Sequence, residues 1–251
     1  MINTPDAHGM GDAYDAFAAA FGEADKLPTW LFVGKPAMED LLQPYLKPET
    51  RCLDFGSASA RVENGVLLPQ GVLPQNITGV EISPDQVKMA QVRIPGARFL
   101  VGDVADPSLL SDESGTYDVV FSHMVFEHLD DEQLARACAN AYRLLRPGGT
   151  FAFVVTHPDK MTDLDGNLVT TFGPFMTTAP WGGELHNWRR SLADTERLVR
   201  GAGFVDYVAS EVQFPEHPPA GLSDADNAAF TAAAAKYRKY PAIRLAVQAK
   251  R

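Results

Sequence analysis

Three acidic residues occupy similar places in the chain: Asp54 in Cys52-Leu53-Asp54-Phe55-Gly56, Glu81 in Gly79-Val80-Glu81-Ile82-Ser83, and Asp103 in Gly102-Asp103-Val104. Each ends or borders a short apolar, β-rich run. A carboxylate there can accept hydrogen bonds from paired hydroxyls or an exocyclic amine, and its charge makes those bonds strong. After the first acid comes Gly56-Ser57-Ala58-Ser59-Ala60-Arg61, a small-residue turn that would let backbone amides and a helix amino terminus approach a ligand. His123, His157 and His186 are the candidates for acid–base work, because imidazole titrates near working pH. His128, in Glu127-His128-Leu129-Asp130-Asp131, reads as a structural cap instead. Only Cys52 and Cys138 occur, without metal-ligand or C-x-x-C spacing, so no metal site is expected and both read as small core residues.

The elements that must position these groups alternate along the chain. Strands are predicted at Arg51–Phe55, Ile77–Glu81, Ala97–Val101, Tyr117–Ser122 and Thr150–Thr156. Helical periodicity marks Pro84–Arg93 and Asp131–Leu145, the latter stopped by Pro147-Gly148-Gly149. Strand and helix in repeated alternation mean a parallel sheet covered on both faces, which binds ligands at the carboxyl ends of its strands. Five turns therefore converge on one crevice. Ahead of this core, Asp12–Phe21 and Lys35–Leu46 read as helices of a lid spanning residues 1–50. The core is expected to run from 51 to 251, with an acceptor-side loop over 158–190. It should close with a helix Leu192–Ala202, a strand Phe204–Val212, a helix Asp224–Tyr240 capped by Ser223, and a last strand Ala242–Ala249.

Composition limits the rest. The 251 residues, 45% hydrophobic and 22% charged, suit a globular fold that buries about 70% of its chain surface. Thirty-two acidic against 22 basic side chains give a net charge of −10, with no basic stripe for successive phosphates, so nucleic acid and anionic membrane are not expected as partners. The amino terminus lacks a basic segment followed by an apolar one, and no apolar run is long enough to span a membrane, so a cytoplasmic protein is expected.

A nicotinamide-dinucleotide fingerprint, G-x-G-x-x-G, would need glycine at Gly56, Ala58 and Arg61 and fails at two of the three. The same stretch resembles the first motif of class I S-adenosylmethionine-dependent methyltransferases, D-x-G-x-G-x-G, rendered here as Asp54, Gly56, Ala58 and Ala60. Glu81 and Asp103 match that family's next two acidic marks, and Arg146-Pro147-Gly148-Gly149-Thr150 matches its usual connector before the fifth strand. The resemblance covers Arg51 to Thr156 strongly and Trp188 to Phe204 loosely. It implies a three-layer Rossmann-like fold, with a mostly parallel seven-stranded sheet whose last strand is antiparallel. It also implies S-adenosylmethionine as cofactor and S-adenosylhomocysteine as product. The cofactor residues it assigns are Asp54, Gly56, Ser57, Ala58, Glu81, Ile82, Asp103, Val104, Ser122 and His123, with Glu81 on the ribose hydroxyls and Asp103 on the adenine amine.

The sequence departs from the family pattern at Ala58 and Ala60, since alanine tolerates a positive φ poorly. Either the turn avoids that conformation or cofactor affinity falls. The aromatics Tyr14, Trp30, Phe32, Phe175 and Trp181 are candidate acceptor contacts, with His157, His186 and His123 as catalytic candidates. The expected activity is methyl transfer to nitrogen or oxygen of a small-molecule acceptor, aromatic or heterocyclic in character and of the kind made in specialised biosynthesis, by a monomer or homodimer. The alternatives are C-methylation, non-transfer use of the cofactor, and silent cofactor binding.

Overall fold

The computed structural model describes residues 15, 23–179 and 183–251. The helix expected at Asp12–Phe21 lies outside the described residues apart from Asp15, and so do Tyr14 and Trp181.

Seven strands form one sheet in the order β3-β2-β1-β4-β5-β9-β8: β1 Cys52–Phe55, β2 Ile77–Glu81, β3 Arg98–Val101, β4 Tyr117–His123, β5 Leu145–Thr156, β8 Val205–Val212 and β9 Arg244–Lys250. The first five are parallel, and β9 runs antiparallel between β5 and β8. The chain winds outward from β1 to β3 and then returns to lay β4 on the other side of β1. That reversal opens a crevice at the carboxyl ends of β1 and β4.

Strand alternation sorts the core into two layers. Leu53, Phe55, Val120, Phe151 and Phe153 face helices α3 Asp131–Leu144 and α4 Leu192–Gly201 through Leu134, Ala137, Cys138, Ala141 and Val199. Their strand neighbours Cys52, Val119, Phe121, Ala152 and Val154 face the other way, onto Met38 and Leu42 of α1 Lys35–Leu42 and onto Val62, Val66 and Leu67. Both cysteines are buried free thiols in these layers. Helix α2 Pro84–Arg93 buries Val87 and Ala90 against Ala60 and Phe99, and α5 Asp224–Tyr237 buries Phe230 against Phe32 and Phe214. Amino-terminal caps are supplied by Ser83, Asp130, Ser191 and Ser223; Asp130 and Gln133 form a reciprocal capping box.

Several boundaries differ from the sequence reading. Helix α1 stops at Leu42 and tightens into a turn over Gln43–Tyr45, because Pro44 has no N–H to continue the ladder. A π-helical turn, Trp30–Gly34, leads directly into it. The segment from Trp30 to Leu42 is thus part of the layer covering the sheet. Helix α5 ends at Tyr237, three residues early. Strand β5 begins at Leu145, with a register shift across its Pro-Gly-Gly segment. The region expected to be a loop contains an antiparallel hairpin, β6 Gly173–Thr178 and β7 Glu184–Arg189, in which Phe175 pairs with Asn187 and Met176 with His186. No helix among the described residues is long and apolar enough to cross a membrane.

Candidate active site

The turn after β1 is built on positive φ. Gly56, Ala58 and Ala60 have φ of +83°, +46° and +62°, so the two alanines take the left-handed conformation that the family's glycines take freely. The turn keeps its shape and carries the strain. Gly56 is needed on a second count, since a Cβ there would collide with the Val125 side chain beyond β4. Gly79 on β2 is equally constrained: a Cβ would lie 2.6 Å from Ser57 Oγ.

Glu81, at the end of β2, ties this turn to its own strand. The Ala58 N–H donates to Glu81 Oε2 at 2.9 Å, and the Ser83 N–H donates to Oε1 at 2.9 Å. Burial pushes the Glu81 carboxyl above its usual range, and the backbone donors act against that rise. Asp54 is 1% exposed and rests beside the wholly buried Glu63, a residue the sequence reading did not single out. Burial first, and each other's charge second for Asp54, lift both carboxyls: Asp54 well above its normal range, Glu63 to about 7 with Arg93 and hydrogen bonding acting against the rise. The pair therefore keeps a proton to higher pH than separate carboxyls would. Asp103 accepts from the Ala105 N–H at 2.8 Å through Oδ1, which fixes the turn after β3.

These elements enclose a cavity of about 540 Å³, within the size range of ligand pockets. Asp54, Gly56, Ser57, Ala58, Glu81, Ile82, Asp103, Val104 and His123 line it, so nine of the ten expected cofactor residues converge there. Ser122 does not. It is 1% exposed and donates to the Phe55 carbonyl at 2.7 Å, locking β4 to β1 beneath the cavity. Among the described residues, buried Asp54 Oδ1 and Ser57 Oγ have no hydrogen-bond donor, as expected of groups that await a polar ligand. The donor set of three strand-end carboxylates and small-residue amides fits an adenosyl amino-acid cofactor.

The acceptor-side expectations fare less evenly. Trp30 lines the cavity and meets His123 edge to face, with ring centroids 5.0 Å apart. Burial, with Arg61 and Arg244 nearby, drives His123 well below the usual imidazole range, so the ring is neutral. Its Nε2 is buried against Gly34, where a Cβ would lie 2.7 Å away. Phe32 is instead a core residue between Phe214 and Phe230. Phe175 is buried in the hairpin and does not line the cavity.

His157 and His186 do not reach the cavity either. His157, 2% exposed, accepts from the Asp159 N–H at 3.2 Å through Nδ1 and has Nε2 3.8 Å from Glu211, so it pins the turn after β5. Pleat parity explains His186: Leu185 and Asn187 line the cavity, and the residue between them must point away. Its backbone carbonyl accepts from His128 Nδ1–H at 3.0 Å. The hairpin does cover the cavity, through Thr177, Thr178, Ala179, Leu185 and Asn187.

The sequence reading missed the far end. Glu127, Lys160, Lys236, Tyr237 and Arg244 line the same cavity. Arg244 begins β9, and because β9 runs against its neighbours its first residue lies at the carboxyl ends of the parallel strands, opposite Thr156. Burial, with Arg244 and Lys236 close by, pushes the Lys160 amine down to about 7.

A family profile described as a methyltransferase domain matches residues 53–153. An arsenite methyltransferase of Aquipseudomonas alcaligenes is 26% identical over 220 residues, covering 78% of this chain and 59% of that one. A malonyl-[acyl-carrier protein] O-methyltransferase of Methylococcus capsulatus is 30% identical over 158 residues, covering 61% of this chain and 53% of that one. The chain thus spans less than two thirds of the length of these curated relatives. Among solved structures, an S-adenosylmethionine-dependent methyltransferase from Mesorhizobium loti superposes with a TM-score of 0.64 at 18% identity, over 90% of this chain and 99% of that one. The strand order, the acid-lined crevice and this sequence match make residues 53–153 a methyltransferase domain on the class I S-adenosylmethionine-dependent methyltransferase fold, with S-adenosylmethionine as its cofactor.

Proposed function

We propose that this protein methylates a nitrogen or oxygen of a small molecule, and that the whole reaction is housed in the one cavity. The observation that carries this is continuity: the acid-lined cofactor end and a chemically different far end, roofed by the β6–β7 hairpin, open into the same 540 Å³.

When bound, S-adenosylmethionine supplies a methyl group on a sulfonium, ready for in-line displacement by a lone pair. Glu81 would hold the ribose hydroxyls with the lone pairs left over from Ala58 and Ser83, and Asp103 would accept from the adenine amine. Asp54 and Ser57 would face the amino-acid end. The rest of the work is orientation and exclusion of water. Trp30 and the neutral His123 ring form one wall, and Thr177, Thr178 and Leu185 of the hairpin also line the cavity. In our reading His123 lines the acceptor pocket without carrying a charge, and His157 and His186 support the walls from outside.

An altered turn at Ala58 and Ala60 would favour the alternatives of C-methylation or non-transfer use of the cofactor. With both alanines in the left-handed conformation the turn keeps the glycine shape, so that reason lapses. We further propose a cytoplasmic protein, monomeric or homodimeric, with 1–50 as a partly lid-like segment and 51–251 as the core.

The test is transfer itself. Incubation with methyl-labelled S-adenosylmethionine and a metabolite extract is expected to yield a labelled small molecule together with stoichiometric S-adenosylhomocysteine. Cofactor binding with no labelled product under any extract would leave a binding protein and overturn the proposal.

A further inference from the structure

The cavity is polarised. Asp54, Glu81 and Asp103 line one end, and Lys160, Lys236 and Arg244 line the other. This is notable in a chain whose net charge is −10. The three cations come from three separate elements: the turn Pro158–Lys160 after β5, the last turn of α5, and the first residue of β9.

Arg244 is 5% exposed; among the described residues its buried Nε has no hydrogen-bond partner, and its Nη1 donates to the neighbouring Ile243 carbonyl at 3.0 Å. Among the described residues no carboxylate comes within ion-pair distance of Arg244, Lys160 or Lys236. The ammonium groups of Lys160 and Lys236 instead flank the Tyr237 ring, at 5.4 and 5.3 Å from its centroid. Among the described residues the one acid lining this end, Glu127, spends Oε1 on the Thr156 N–H and hydroxyl at 3.4 and 3.2 Å. Even with the Lys160 amine pushed down to about 7, Arg244 and Lys236 against one carboxylate leave an excess of positive charge. A buried guanidinium with an idle donor is costly unless a partner arrives, and the cavity opens beside it.

Resting on the methyl-transfer reading above, we propose that Lys160, Lys236 and Arg244 form an anion subsite, and that the acceptor carries a carboxylate- or phosphate-type group that docks there. The anion would satisfy Arg244 Nε, balance the two ammonium groups, and orient the rest of the acceptor towards the cofactor end. Glu127 would repel a misplaced anion from the Thr156 side and so fix its position.

The test is calorimetric titration of the full chain, first with S-adenosylhomocysteine and then, once saturated, with benzoate, phenyl phosphate and neutral benzamide. Benzoate or phenyl phosphate is expected to bind one site at least tenfold more tightly than benzamide, and whichever anion wins identifies the class. Lys160→Gln and Lys236→Gln should each weaken anion binding about tenfold, the loss of one charge-assisted bond, with S-adenosylhomocysteine affinity unchanged. Lys236 is exposed on α5, so its variant folds even if substitution at buried Arg244 does not. Equal binding of benzamide, anion binding that survives in both lysine variants, or no anion binding at the solubility limit would overturn the subsite. Failure of S-adenosylhomocysteine to bind the wild type would instead strike the methyl-transfer reading, and the two failures are read in separate steps.

Discussion

The Ala58 N–H donates to Glu81 Oε2 at 2.9 Å, joining the turn after β1 to the end of β2. The two motifs most characteristic of the cofactor site are therefore one mechanical unit. Glu81 cannot be removed without also releasing the turn that shapes the cavity, and the strain held at Ala58 is offset in part by this charge-assisted bond.

That strain is measurable. The left-handed conformation costs an alanine about 1–2 kcal/mol, and a glycine gives back about 0.4–1 kcal/mol through the freer unfolded chain. Ala58→Gly is expected to stabilise the protein by about 0.5–1 kcal/mol in urea denaturation. Ala60→Gly should be nearly neutral, because its methyl is fully buried with Val87, Ala90 and Phe99 and its removal gives up about 0.8 kcal/mol. A lower denaturation midpoint for Ala58→Gly would show that the turn is not strained.

The buried Asp54–Glu63 pair sets a pH dependence. Both carboxyls are raised in the folded chain, Glu63 from 4.5 to about 7. The folded state thus binds more protons than the unfolded one in that window, and its stability falls as pH rises from about 4.5 through 7. The slope is on the order of 1.4 kcal/mol per pH unit for each group titrating. Glu63→Gln should flatten the fall and gain on the wild type between pH 5 and about 8. Parallel stability curves for the two proteins would contradict the shared proton.

Two histidines that invite a catalytic role should prove structural. His157→Ala, which loses the bond from the Asp159 N–H, and His186→Ala, which loses only the packing of a buried ring, are expected to lower stability by about 1–2 kcal/mol and to leave turnover per folded molecule unchanged. His123→Ala, which opens the wall beside Trp30, should lower turnover. A loss on the order of 10²–10⁴-fold at His157 or His186, the size expected of a removed general base, would return the chemistry to them.

How far the sequence reaches is clear from these residues. The three strand-end acids were legible because each follows an apolar run at the carboxyl end of a parallel strand, where position alone implies the crevice. The mostly parallel seven-stranded sheet and its antiparallel last strand followed from the family resemblance. The β6–β7 hairpin was not legible: its strands alternate weakly, and glycine and proline nearby read as loop. Without the hairpin, pleat parity could not be used to send His186 away from the cavity. Arg244 was concealed differently, inside a run that reads as core strand. Its signal was available in the direction of that strand, since the start of an antiparallel neighbour lies at the carboxyl ends of the others. Glu63 gave none, because its partner Asp54 becomes its neighbour only when the turn between them folds.

The central claim is that this acid-lined crevice holds the cofactor, and calorimetric titration with S-adenosylhomocysteine tests it most directly, on the wild type beside Glu81→Gln. The wild type should bind one equivalent. Glu81→Gln, which keeps the side-chain length but puts an amide N–H in place of one acceptor oxygen and loses charge-assisted bonds worth about 1.5–3 kcal/mol, should bind roughly ten to a hundred times more weakly. No binding by the wild type, or equal affinity in a folded Glu81→Gln protein, would contradict the site described here.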